Sequence, residues 1–193
     1  MDKILKTLLT NELIGKISDN LGTNSQKTKS AVENILPAIL GGLAKNSAKK
    51  EKADLLHQVL EKDHDGSILN NVGDLLENVE AFKGNKILGH IWGEKSSLLA
   101  EIVGQKSGLG KEKSGKLMEV LAPLVMGALG KETKEKELQS GDLSGLLQQT
   151  VKKFADNDEL KKLVFSFLDK DGDGDIKDDL LDMGKKYLKK FLS

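Results

Sequence analysis

The two prolines of this chain stand at one position of one repeated segment. Ile35 to Lys45 reads ILPAILGGLAK and Leu121 to Lys131 reads LAPLVMGALGK, which places Pro37 on Pro123, Gly41 on Gly127, Leu43 on Leu129 and Lys45 on Lys131. Each segment follows a lysine-containing helical stretch (Gln26 to Asn34; Glu112 to Val120) and precedes a charged connector, KNSAKKEKA or KETKEKELQ. A repeat of this kind marks a unit that buries its apolar face against its own copy, so it dictates the architecture. Proline removes a backbone donor and suits a first helical turn. The segments therefore predict buried helices interrupted or restarted at proline, with the glycines letting a second helix approach closely.

Apolar residues recur at helical spacing along most of the 193 residues, whereas runs alternating β-branched and aromatic residues are missing. The fold class expected is all-α: a multihelical bundle of two related helical-hairpin halves, about 11–80 and 85–193, within a single domain 1–193. The length suffices to bury one shared core. The 20 glycines against two prolines read as helix ends and close helix contacts rather than linker.

Each half carries an acidic loop. Leu60 to Leu76 is LEKDHDGSILNNVGDLL and Leu168 to Gly184 is LDKDGDGDIKDDLLDMG. A calcium loop places side-chain oxygens at positions 1, 3 and 5, a glycine at 6 for the sharp turn, a carbonyl ligand at 7 and an inward apolar residue at 8. The second loop supplies Asp169, Asp171, Asp173, Gly174, Asp175 and Ile176 in that order. Position 12, where a bidentate glutamate belongs, is Leu180, and Asp179 comes one residue early. One residue turns a helical side chain by about 100°, so Asp179 reaches an ion only in a shortened loop or through water, and binding is expected to be weak. The alternative use of these acids is as caps on the following helix, although crowding four aspartates without a cation is costly.

The first loop supplies Glu61, Asp63, Asp65, Gly66, Ser67, Ile68 and Asn71. It is the poorer match, with glutamate at position 1 and Val72 at position 12. For this loop the favoured expectation is a helix-turn-helix corner whose acids cap the helix from Val72, with calcium at Glu61, Asp63, Asp65, Ser67 and Asn71 as the alternative.

Several classes of chemistry are removed or disfavoured by composition. The chain has no cysteine, which excludes disulfides, thiolate zinc and iron-sulfur sites and thiol nucleophiles. All 30 basic residues are lysine, balanced by 30 acids, so neither net charge nor an arginine fork favours nucleic acid. His57, His64 and His90 have no serine-nucleophile motif, second histidine at metal spacing or phosphate loop nearby. His90, beside Trp92 in ILGHIWG, is expected to be buried and hydrogen-bonded to backbone. The expectation is a non-enzymatic protein; a hydrolase holding magnesium in an acidic loop ranks last, for want of a phosphate-binding partner motif.

The amino-terminal MDKILKTLLTNELIGK lacks an uninterrupted secretory apolar stretch, and no segment reaches the ~20 apolar residues of a bilayer span. A cytoplasmic location is expected. The closing DDLLDMGKKYLKKFLS sets Leu180, Leu181, Tyr187, Leu188 and Phe191 against lysines. It is read as a core-packed last helix, with a membrane-surface helix as the alternative.

The combination of LPAILGGL, DHDGSI, ILGHIWG, APLVMGALG and DKDGDGDIKDDLLDMG resembles the YidB-like bacterial domain of unknown function (domain of unknown function 937), from about Ile14 to Met183. The resemblance implies a multihelical bacterial protein and no particular reaction. The functional expectation is thus a helical protein that binds calcium weakly through the second loop and engages an unidentified protein partner, with a membrane-surface or envelope role as the alternative.

Overall fold

The structure is a computed structural model and describes residues 2–154. These form nine α-helices: α1 (Asp2–Leu8), α2 (Asn11–Leu21), α3 (Ser25–Asn46), α4 (Lys50–Asp63), α5 (Val72–Glu77), α6 (Gly84–Trp92), α7 (Lys95–Ser107), α8 (Lys111–Glu135) and α9 (Ser140–Phe154). Two short 3-10 turns, Ser67–Asn70 and Val79–Phe82, flank α5, and no strand occurs among the described residues. The all-α expectation holds.

The local chemistry of the ends is readable in the residues. Thr10 and Asn24 accept from the backbone N–H groups of Leu13 and Lys27, capping α2 and α3. Gly22 and Gly108 close α2 and α7 in the left-handed conformation, at φ 58° and 69°, which costs glycine nothing.

Helices α3 and α8 form the centre. Every residue from Ile35 to Ala44 and from Val120 to Gly130 is buried. A helix apolar on all sides must be covered on all sides. Accordingly α3 packs against α2, α6, α7, α8 and α9, while α8 packs against α1, α2, α3, α4, α6 and α7. Fully buried Ile35, Leu36, Ile39, Leu40, Leu117 and Leu121 fill the space between them. Each such side chain contributes about 1.5–3 kcal/mol relative to exposure.

The helix that follows each proline helix crosses over. α4, which follows α3, lies on α8 and α9, and α9, which follows α8, lies on α3 and α4. Side chains fix both crossings: Ser144 of α9 donates to the carbonyl of Ser47 at the end of α3 (2.9 Å). On the other side His57 Nε2 of α4 meets the carbonyl of Leu138, just past α8, at 2.6 Å, and Asp54 of α4 accepts from Ser140.

The expected interruption at proline does not occur. Both helices run unbroken through Pro37 and Pro123. Proline's fixed φ is itself helical; what it removes is the hydrogen bond to the carbonyl four residues earlier, at a cost of about 3 kcal/mol. For Pro123 that carbonyl belongs to Glu119, and Gly84 at the start of α6 sits directly on it: a β-carbon at position 84 would collide with Glu119 O. The carbonyl that Pro123 leaves unbonded thus lies where the backbone of α6 approaches α8 closely, and burial on every side offsets the lost bond.

Candidate functional site

The first acidic loop is seated on α8. α4 continues through Asp63 and ends at His64, so Glu61 and Asp63 are both helical. Two residues apart on a helix, they project about 200° from each other. Glu61 turns back along α4 instead, with its carboxylate 3.5 Å from His57 Nδ1.

Beyond His64 the backbone reverses at Gly66, whose φ of 95° lies in the region glycine alone enters readily. Asp65 Oδ1 accepts from the Ser67 N–H at 2.9 Å and so closes the start of the 3-10 turn, while Asn71 Nδ2 donates to the Ser67 carbonyl at 3.4 Å. Hydrogen bonds from Ser67, reinforced by the Lys134 ammonium, hold the Asp65 carboxyl below the usual carboxylate range. The expected capping of α5 is different in detail: its N-cap residue, Asn71, makes no side-chain cap bond, and the acid works one turn earlier.

The loop rests on a track of small residues. A β-carbon at Gly130 would strike the His64 carbonyl, one at Gly127 would strike Ile68, and one at Gly66 would come within 2.7 Å of Lys131 Cβ. Ile68 packs against the core. The glycines of the second proline segment therefore seat the first acidic loop, which is how the two repeated sequence elements meet. Burial holds the His64 imidazole below its ordinary value, and the neighbouring Asp63 acts against that shift.

Just past that seat on α8, Glu132 is 3% exposed and its Oε1 accepts from Lys136 Nζ at 2.6 Å. Burial alone would raise the Glu132 carboxyl, but its charged partners, Lys136 among them, outweigh that and hold it below the usual range.

Of the metal candidates read from sequence, Glu61, Asp63, Asp65, Ser67 and Asn71 fall within the described residues, and there no group of three or more histidines and acids is placed to hold one ion. Asp169, Asp171, Asp173, Asp175 and Asp179 lie outside the described residues, as does the amphipathic closing segment. His90 is corrected: it is exposed on α6, because the buried face of that helix is Gly84, Leu88, Ile91 and Trp92. Two positions past Leu88, His90 points the other way. The histidine with a tertiary role is His57, grouped with Asp54 and Glu61 at helical spacing on α4. That i, i+3, i+7 pattern was the available signal for it.

An open cleft of about 640 Å³ lies between α6, α7 and α8, floored by Leu88, Ala100, Gly115 and Met118. Two of its rim lysines are already engaged, Lys111 with Glu101 at 3.4 Å and Lys116 with Glu112 at 3.1 Å. Among the described residues no helix is long and apolar enough to cross a membrane.

No curated protein and no solved structure matches the chain. The family described as bacterial protein of unknown function (DUF937) matches residues 3–132, from α1 nearly to the end of α8 and including the first acidic loop with its seat. The chain belongs to that bacterial family of unknown function.

Proposed function

We propose that this is a non-enzymatic helical protein that binds calcium weakly at Asp169, Asp171, Asp173 and Asp175, with help from Asp179, and engages a protein partner in the cytoplasm. The observation that carries the reading is the Asp-x-Asp-x-Asp-Gly-Asp-Ile order of the second loop, whose oxygens, turning glycine and anchoring isoleucine match what a calcium loop requires. The geometry of the first loop supports it. There the glycine at position 6 makes the left-handed turn and the isoleucine at position 8 packs on the core. In that loop hydrogen bonds from Ser67 hold the Asp65 carboxyl below its usual range, with the Lys134 ammonium a lesser contributor.

The same proposal includes two related halves. Positions 22 and 108, 27 and 113, and 37 and 123 are each 86 residues apart, and they carry the same residue types. The left-handed glycines, the helix-internal prolines and the crossing helices that follow them fall in matching places.

A ligand selective for the folded state raises the melting temperature by mass action. Chelator-treated protein is expected to melt higher in millimolar calcium than in the same concentration of magnesium. An unchanged melting temperature in calcium would remove the calcium part of the reading.

A further inference from the structure

We propose that the chain can exchange halves with a second copy of itself, forming a dimer held by the same contacts that close the monomer. The proposal rests on the two-halves reading. Within one chain, α4 of the first half lies on α8 and α9 of the second, and α9 of the second lies on α3 and α4 of the first. The cross-contacts are specific and point both ways. Ser144 caps the carbonyl of Ser47, His57 and Asp54 hold Leu138 and Ser140, Lys113 donates to the Gly22 carbonyl, and His64 seats on Gly130. The surface that each half presents is therefore complementary to the other half, and a second copy carries that other half unchanged.

Covalently, the two halves, about 11–80 and 85–193, are joined through residues 81–84, which run from the turn Val79–Phe82 into the start of α6. Lys83, in that stretch, holds the left-handed conformation at φ 55°, a strained backbone for a residue with a side chain. Opening there breaks the turn bonds that the Ala81 and Lys83 N–H groups donate to the Asn78 and Glu80 carbonyls. Because monomer and exchanged dimer use the same interface, the balance is set by tethering, which acts as an effective concentration of about 1 mM for a short flexible link. Closed monomers prevail at micromolar concentration, and exchange sets in when the chain refolds near the millimolar range.

The test uses two full-length variants, Ile35→Asp and Leu121→Asp, each placing a charge at a fully buried position of one half. Each alone is expected to lose cooperative melting. Refolded together, they are expected to give a 1:1 heterodimer by light scattering, with one cooperative transition and about half the wild-type helical signal, because one pair of undamaged halves is restored. A mixture that stays unfolded like its components, or wild type that remains monomeric after refolding at about 1 mM, would overturn the exchange. A companion measurement separates this from the reading beneath it: wild type carrying a protease site after Asn78 is cut while folded. Fragments that stay together support two complementary halves whatever the fate of exchange; fragments that separate and unfold overturn both.

Discussion

Lys113 Nζ of α8 donates to the carbonyl oxygen of Gly22 at 2.6 Å, and Lys27 of α3 lies in the matching place, its side chain beside Gly108. Each lysine stands in the first turns of a proline helix, and each glycine closes the helix before the other one. A helix end carries unsatisfied carbonyls and a partial negative charge, which a lysine ammonium complements. Reciprocity of this kind is what the proposed relation between the two halves requires.

The Lys113 bond is exposed, so its worth is modest. Lys113→Ala is expected to lower unfolding stability by about 0.5–1.5 kcal/mol, read from urea denaturation. Lys27→Ala is expected to cost less, because its ammonium approaches Gly108 without a comparable hydrogen bond. The double variant should equal the sum of the singles, since the two lysines share no partner. A Lys113→Ala effect indistinguishable from zero would show that the crossing is held by packing alone.

Glycines should separate into two groups by what surrounds them. Gly15 on α2 has open space around it, so Gly15→Ala is expected to stabilise by up to about 1 kcal/mol through helix propensity. Gly130→Ala gains the same propensity but drives a methyl into the His64 carbonyl, and Gly84→Ala drives one into Glu119 O. Backbone gives way less readily than side chains, so each is expected to destabilise by about 1–3 kcal/mol net. Thermal melts followed by circular dichroism check the sign at all three positions.

Acidification should act in two steps. The unfolded His64 imidazole takes up a proton near pH 6.5, while burial keeps the folded one from doing so until lower pH. Stability therefore falls as pH drops through that window, and His64→Gln should flatten the fall. For Glu132 the folded carboxyl is also held low, so its contribution is fully present above about pH 4.3 and is lost as pH falls through the folded value. Glu132→Gln should remove the second step and leave the first. Stability measured by denaturant between pH 8 and pH 3 reads both.

How much was legible beforehand follows from which interactions are local. The prolines and glycines announce two buried helical segments, and both lie buried within α3 and α8. The order Asp65, Gly66, Ile68 announced a turn and an anchor, and both are present. What escaped depends on tertiary partners. Nothing in KNSAKKEKA says that α4 crosses to α8 rather than folding back along α3, because its apolar face suits either surface. Continuity through Pro37 and Pro123 depends on burial from every side, and propensity alone argued against it. The exposure of His90 was available from helical geometry, since the buried set of α6 runs through Leu88, Ile91 and Trp92. The apolar company of that histidine in sequence outweighed its angle. Spacing alone puts Glu61 in a loop, but α4 continues through Glu61, Lys62 and Asp63 and brings the Glu61 carboxylate 3.5 Å from His57 Nδ1.

The central claim, calcium at the second loop, is tested most directly by calorimetric titration of chelator-treated protein, beside the Asp169→Ala, Asp173→Ala double variant. The account predicts one calcium ion bound per chain by the parent protein and none by the variant, with circular dichroism of the two otherwise alike. No binding heat from the parent, or equal heat from both proteins, would contradict it.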